Sequence, residues 1–255
     1  MLQLILNIAR FTLLEGWRGR LLAIVVAVIV IAVIAAEFAA GLAITESNSF
    51  RIAIYAGFCR IALVFIVMLF AATSVVRELN ERMLDLTLSR PVSRASWMCG
   101  RLLGLWMLGG IAAVLSCLPL LAVLAPATAV VWGVFFAIEL AIVATATMTC
   151  VVTLRHVTLA VAVAAAFYVL SRSIDALLLM SRGPTVDPDA WSTEIIAQGL
   201  ALLALVLPAL DRFTNVHWLL ESAGSGASFA LAAEGMVYIL FLLAIGLFDF
   251  YRVDD

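Results

Sequence analysis

Charged residues are scarce in this sequence, and lysine is absent. Only 13% of the residues are charged, and the formal net charge is −2. So little charge provides no basic surface for nucleic acid, and we expect no nucleic-acid partner. Hydrophobic residues make up 65% of the chain, and the mean hydropathy is +1.18. These values are typical of a multi-pass membrane protein whose main surroundings are the lipid bilayer.

The sequence patterns of catalytic and metal sites are missing as well. The four cysteines show no CxxC spacing, the only histidines are His156 and His217, and neither HExxH nor GxSxG occurs. We therefore expect no catalytic residues, no metal site and no disulfide framework. The phosphate-binding pattern GxxxxGK[ST] is also absent, and no soluble stretch is long enough for a nucleotide-binding domain. The chain itself is not expected to hydrolyse ATP.

Six apolar runs are long enough to cross a hydrocarbon core of about 30 Å. They cover residues 21–44, 52–76, 100–124, 129–153, 157–174 and 227–250. A shorter run at 195–210 carries Pro208 near its end, which favours a re-entrant or interfacial segment. If this run crossed completely, the C-terminus would lie on the opposite side of the membrane. The sequence predicts an all-α fold with one transmembrane domain over residues 1–255, including an outer connection at 175–226.

The placement of arginine predicts how the spans are oriented. All fifteen basic residues are arginines, and under six spans ten of them fall on the side of both termini. Positively charged residues near span ends favour the cytoplasmic side. The loops on the other side are rich in acidic residues. We therefore expect a multi-pass protein with both termini in the cytoplasm.

Residues 1–20 predict a helix that lies at the membrane surface. At 100° per residue, Gln3, Asn7, Arg10 and Arg18 fall on one stripe, and apolar residues cover the rest of the helix. A simple extension of the first span is the other interpretation of this segment. Under either interpretation, Trp17 is suited to anchor the segment at the membrane interface.

The loop between the second and third predicted spans concentrates charge. A helix over residues 77–89 would carry leucines on most of its surface and a charged arc formed by Glu78, Glu81, Arg82, Asp85 and Ser89. Arginines alone would suit a loop that only determines topology. The interleaved acids contribute little to topology, and they favour an element that docks against a cytoplasmic partner.

A proline ends this predicted helix abruptly. Pro91 cannot donate the helical hydrogen bond, and it disfavours helical backbone at Arg90. Ser93 or Ser96 can then cap the third span, whose first turn contains Arg94. The loop is therefore predicted to form a helix, a sharp turn and a second helix.

These residues resemble the cytoplasmic motif of the ABC-2 type permeases, which are membrane subunits of ATP-binding-cassette transporters. In that motif an acidic-basic helix is followed by Leu-Leu-Ser-x-Pro-x-x-Arg and then by Gly-Lys at the start of the next span. The matching residues here are Glu78, Glu81, Leu84, Asp85, Leu86, Leu88, Ser89, Arg90, Pro91, Val92, Ser93, Arg94, Gly100 and Arg101. The chain departs from the pattern at Arg82 and Met83, where members often carry Gly-Thr, and at Arg101, where Lys is common.

The resemblance implies a permease that works with a separate ATPase subunit, and ATP and magnesium would bind to that subunit. No cofactor is expected in this chain. The resemblance also implies a second permease copy, a homodimer in the simplest case, and export across a bacterial cytoplasmic (inner) membrane. Residues 77–94 would form the coupling helix and its turn. The residues that would dock on the ATPase are Glu78, Glu81, Arg82, Asp85, Arg90, Pro91 and Arg94.

A proton-coupled secondary carrier is the alternative function. Glu37, Arg60 and Glu139 lie within apolar spans. Ionisable residues are costly there, so they mark functional sites by default. They would instead serve as structural ties if Arg60 pairs with Glu37 or with Glu139. The sequence does not decide whether these three residues line a transport path or form structural ion pairs.

Overall fold

The computed structural model describes residues 2–42, 46–80, 93–181, 198–200, 202–204, 207–213 and 225–252. Within these ranges the fold is all-α and contains no strand. The long helices are α1 (Leu2–Arg18), α2 (Leu21–Leu42), α3 (Ser47–Asn80), α4 (Arg94–Leu120), α5 (Pro126–Leu154), α6 (Val157–Ser181) and α7 (Ser225–Arg252). A single 3-10 turn, η1, covers Leu210–Arg212.

The prediction of six spans is confirmed, because six of the described helices, α2 to α7, are long and apolar enough to cross a membrane. Several are longer than the apolar runs that predicted them. The largest difference is in α3, which continues without interruption to Asn80. Residues 77–80 therefore extend the second span instead of starting a separate helix. No glycine or proline occurs between Val76 and Asn80 to interrupt the backbone hydrogen bonds.

Local sequence explains where the middle helices begin and end. Ser93 is the N-cap of α4, and its hydroxyl accepts a hydrogen bond from the Ser96 amide at 3.3 Å. Helix α5 begins at Pro126, a position where the missing amide hydrogen costs nothing. It ends at Leu154. The next residue, Arg155, has a left-handed backbone (φ 52°), and its amide donates to the Val151 carbonyl at 2.9 Å.

Helix α5 lies at the centre of the bundle and contacts α3, α4, α6 and α7. Several of its large side chains, including Trp132, Phe136 and Leu140, are fully buried. Phe213, which follows η1, is also buried, and its ring centroid lies 6.3 Å from that of Phe135. Close van der Waals packing of this kind holds helices together where lipid surrounds them.

Helix α7 runs parallel to α5. Gly235 lies against Ile138, Gly246 lies against Thr149, and Asp249 accepts a hydrogen bond from Thr153. Because α6 runs the other way, α7 begins at the end of the bundle where α6 finishes. The run at 195–210 is described only in part.

Helix α1 packs along α4 and is separated from α2 by a turn. Ile8 lies against Gly100 and Thr12 against Gly104. The turn at Gly19 and Arg20, where Arg20 has a φ of 60°, breaks the helix before α2 begins. Residues 1–20 are therefore not a continuous extension of the first span. The polar side chains of the predicted stripe, Gln3, Asn7, Arg10 and Arg18, are exposed.

Candidate functional site

A network of charged and polar side chains joins α1, α3 and α4 at the end of the bundle where α4 begins. We call this network the charged junction, and its members are Thr12, Glu15, Ser74, Arg77, Glu78, Trp97 and Arg101. The junction lies directly beside both ends of residues 81–92, because it includes the last turns of α3 and the first turns of α4.

Arg101 is the centre of the junction and is 1% exposed. Its Nη2 atom lies 2.8 Å from Glu15 Oε2, and its Nε atom lies 3.4 Å from Glu78 Oε2. The guanidinium also donates to Thr12 Oγ1 at 3.1 Å and to Ser74 Oγ. A planar guanidinium can bind several acceptors at once, so one side chain ties three helices together.

Glu15 links α1 to the network. Its Oε1 atom accepts hydrogen bonds from Ser74 Oγ at 2.9 Å and from Arg77 Nη2 at 2.8 Å. Arg77 and Arg101 thus share one carboxylate, but their surroundings differ. The Arg77 side chain is 64% exposed, whereas that of Arg101 is 2% exposed. Water weakens the Arg77 pair much more than the Arg101 pair.

Glu78 connects the end of α3 to the start of α4. Its Oε1 atom accepts a hydrogen bond from Trp97 Nε1 at 2.9 Å, and its Oε2 atom faces Arg101. Glu78 was predicted to dock on a partner, but its side chain points into the bundle and contacts α4. The other predicted docking residues of this segment, Glu81, Arg82, Asp85, Arg90 and Pro91, lie outside the described residues.

Arg94 joins the start of α4 to the end of α7. Its Nη1 atom donates to the Phe250 carbonyl at 3.2 Å, and its guanidinium lies 5.6 Å from the centroid of the Phe250 ring. The Trp97 and Phe250 ring centroids are 5.7 Å apart. These ring–ring and cation–ring contacts stabilise the link between α4 and α7 in addition to the hydrogen bond. A displacement of the first turn of α4 would consequently act on α7 as well.

Two glycines let α1 approach α4 closely enough for Glu15 to reach Arg101. A Cβ atom built on Gly104 would lie 2.5 Å from Thr12 Cβ and 2.9 Å from the Ala9 carbonyl oxygen. One built on Gly100 would lie 3.0 Å from the Ile5 carbonyl oxygen. The spacing of these glycines is that of the GxxxG helix-packing pattern.

A second buried cluster lies between α3, α5 and α6. Glu139 is fully buried, and its Oε1 atom accepts a hydrogen bond from Tyr168 at 2.9 Å and lies 3.4 Å from Arg172 Nη1. Arg60, which is 7% exposed, interacts electrostatically with Glu139 and Arg172. Two arginines therefore interact electrostatically with the Glu139 carboxylate, and Arg172 is the one that lies 3.4 Å from it. Of the two pairings considered for Arg60, the structure brings together the one with Glu139.

Glu37 lies away from this cluster. Its Oε1 atom is 2.9 Å from Arg51 Nη1, and Arg51 also donates to Asn48. A cavity of about 450 Å³ opens beside this ion pair, lined by residues of α2 and α3 and by the end of α4. The Glu37 side chain is 57% exposed, so its contact with Arg51 is a peripheral tie.

One ion pair and one hydrogen bond to a backbone carbonyl clasp η1 to α6, at the opposite end from the charged junction. Arg212 donates to both Asp175 oxygens, at 2.8 and 3.3 Å, and this hydrogen bonding raises the pKa of Arg212. Arg172 donates to the Leu210 carbonyl at 3.4 Å. Burial raises the pKa of the neighbouring Asp211 carboxyl, and Asp175 acts in the same direction. The clasp holds η1 over the Glu139 cluster.

Sequence reasoning missed Glu15, Tyr168 and Arg172 as members of buried clusters. In the sequence, Arg172 stands near the end of the apolar run 157–174, which indicates a residue at the outer end of its span. Helix α6 continues to Ser181, so Arg172 lies inside it, four residues after Tyr168 and on the same face. The GxxxG spacing of Gly100 and Gly104 is a signal in the sequence that could have indicated the close packing of α1 on α4.

No cluster of three or more histidine, cysteine, aspartate or glutamate side chains suited to a metal ion occurs in the part of the chain that the structure describes. Compared with models of known protein families and with curated protein sequences, the chain matches none of them.

Proposed function

We propose that this chain is the membrane-spanning permease subunit of an ATP-binding-cassette transporter, driven by a separate ATPase subunit. The observation that carries this proposal is the charged junction. It connects both ends of residues 81–92 to α1, α3 and α4 through one buried guanidinium. The acidic-basic pattern of residues 77–94, which resembles that of ABC-2 permeases, supports the same function.

In the proposed mechanism, the ATPase binds ATP and magnesium and closes against residues 81–92. The ends of this segment are continuous with α3 and α4, and Glu78 and Arg101 couple those two helices. Glu15 passes the displacement to α1, and Arg94 passes it to α7 through Phe250. A movement of one short segment would thus shift several helices together.

The proposed assembly contains a second copy of the permease and two ATPase subunits, in a bacterial cytoplasmic membrane with both termini in the cytoplasm. The two copies form the path between them, and cargo leaves the cytoplasm or inner leaflet through it. The ten arginines on the side of the termini support this orientation.

The proposal is tested by reversing charge in residues 81–92. We expect the double substitution Glu81→Arg and Asp85→Arg to lower co-purification of an ATP-binding subunit at least about tenfold, because juxtaposed like charges cost an interface several kcal/mol. The tagged chain is isolated from its native host in mild detergent, and its partners are identified by mass spectrometry. ATP hydrolysis is measured with and without the permease.

The matched control is Asp187→Arg with Asp189→Arg, which makes the same change in charge on the side predicted to face outward. This variant should retain the ATPase subunit. The proposal fails if the chain purifies without any ATP-binding protein, or if both double variants retain it equally.

A proton-coupled carrier is the second candidate, and the complete burial of Glu139 favours it. Under that function, Glu139→Gln should abolish pH-driven uptake in vesicles while the chain stays folded. Under the permease function, Glu139 ties α5 to α6 through Tyr168 and Arg172. The same substitution should then lower thermal stability in detergent, and transport should still depend on ATP.

A further inference from the structure

A cavity of about 610 Å³ lies between α1 and α3, beside the charged junction. Its walls come from one face of each helix at the spacing i, i+3, i+4 and i+7. The lining residues are Phe11, Leu14, Glu15, Arg18 and Gly19 from α1 and its turn, and Phe70, Thr73, Ser74 and Arg77 from α3. The volume lies in the range of small-molecule sites in proteins.

The lining of the cavity combines apolar and cationic side chains. Phe11, Leu14 and Phe70 form an apolar wall, whereas Arg18 and Arg77 contribute guanidinium groups. Both arginines are exposed. An occupant that matches this lining carries both a negative charge and hydrocarbon.

The charge balance around the cavity favours an anion. Glu15 is the carboxylate in the lining, and it already pairs with Arg77 and with the buried Arg101. Arg101 is shared in turn with Glu78. The charges in and beside the cavity are therefore three arginines (Arg18, Arg77 and Arg101) and two carboxylates (Glu15 and Glu78). The net charge around the cavity is positive.

The cavity lies at the level where the chain passes from apolar to polar surroundings. Thr73 and Ser74 are polar residues near the end of the apolar run 52–76 of α3, and the charged Arg77 follows that run directly. Trp17, beside Arg18, is 71% exposed, and exposed tryptophans are typical of the headgroup region.

We propose that this cavity binds one anionic phospholipid, with its phosphate at Arg18 and Arg77 and its acyl chains against Phe11, Leu14 and Phe70. The lipid would hold α1 against α3 next to the charged junction. This inference does not depend on the transport function proposed above, because it rests on the lining of the cavity alone.

The test uses the purified full chain in mild detergent and native mass spectrometry, with phosphatidylglycerol and phosphatidylcholine of identical acyl chains as probes. We expect phosphatidylglycerol to be retained in preference to phosphatidylcholine. Each of Arg18→Gln and Arg77→Gln should weaken its binding about fivefold, and the double variant about thirtyfold. The single Arg18→Gln variant leaves both ion pairs of Glu15 in place, so it reports on lipid binding without disturbing the junction.

Two further variants distinguish specific lipid binding in the cavity from nonspecific attraction to positive charge on the surface. Arg10→Gln removes the same charge from an exposed position of α1 that does not line the cavity, and it should leave binding unchanged. Thr73→Trp places a large ring in the cavity without changing charge, and it should strongly lower retention. Equal losses from Arg10→Gln and Arg18→Gln, or full retention in Thr73→Trp, would overturn the proposal. So would equal binding of phosphatidylcholine, or complete displacement of the lipid by glycerol phosphate at the same concentration.

Discussion

Replacing Arg101 with methionine is expected to lower the free energy of unfolding by about 3 kcal/mol, because it leaves the Glu15 and Glu78 carboxylates partly buried and without their shared cation. The two carboxylate side chains are 16% and 20% exposed. The Thr12 and Ser74 hydroxyls lose an ionised partner in the same step. This substitution should have the largest effect on stability of any change in the charged junction.

Unfolding of the purified chain in mixed micelles, followed by circular dichroism, measures this effect. Arg77→Met is the matched control, because it removes the same charge from the same Glu15 carboxylate at an exposed position. Its expected cost is about 1 kcal/mol or less. Adding Glu15→Gln and Glu78→Gln to Arg101→Met should restore part of the loss, since no unpaired charge then remains. Equal costs for Arg101→Met and Arg77→Met would show that the network is not the buried tie that its geometry indicates.

Replacing Gly104 with leucine is expected to cost about 3 kcal/mol and to push α1 away from α4. The first side-chain atom would already lie 2.9 Å from the Ala9 carbonyl oxygen, and a backbone atom cannot rotate aside. Once α1 moves, Glu15 loses its contact with Arg101. Hydrogen exchange of the α1 amides, measured by mass spectrometry, should therefore rise across residues 2–18.

Gly110 provides the control on the same helix. A Cβ atom built there meets nothing within 4 Å, so Gly110→Leu should be neutral or slightly stabilising. Protected α1 amides in the Gly104→Leu variant would contradict the close packing of α1 on α4.

The number and approximate limits of the spans follow from the sequence because long apolar runs have few alternatives to crossing a membrane. The cap of α4 was also predictable, since Ser93 stands between Pro91 and an apolar helix. The end of α3 was predicted less well. Arg77 and Glu78 look like the start of a loop, but helical hydrogen bonding continues through them and tertiary contacts satisfy their charges.

The membership of the buried clusters was not predictable, because it depends on contacts between residues far apart in the chain. Glu15 and Arg101 are separated by 86 positions, and Glu15 on its own is compatible with a polar position on a surface helix. Glu139 was recognisable as an unusual residue from its apolar neighbours. Its partners Tyr168 and Arg172 follow only from the packing of α6 on α5.

The length of α3 has a mechanical consequence. Its 34 residues make a rod about 51 Å long, whereas the hydrocarbon core is about 30 Å thick. About 20 Å of helix therefore extends past the core, and the end that carries Glu78 is part of that overhang. A continuous helix that packs against α2 and α5 inside the membrane would act as a lever that pivots there. Sideways motion of the overhang would swing the Arg51 end in the opposite direction, without any change in the helix itself.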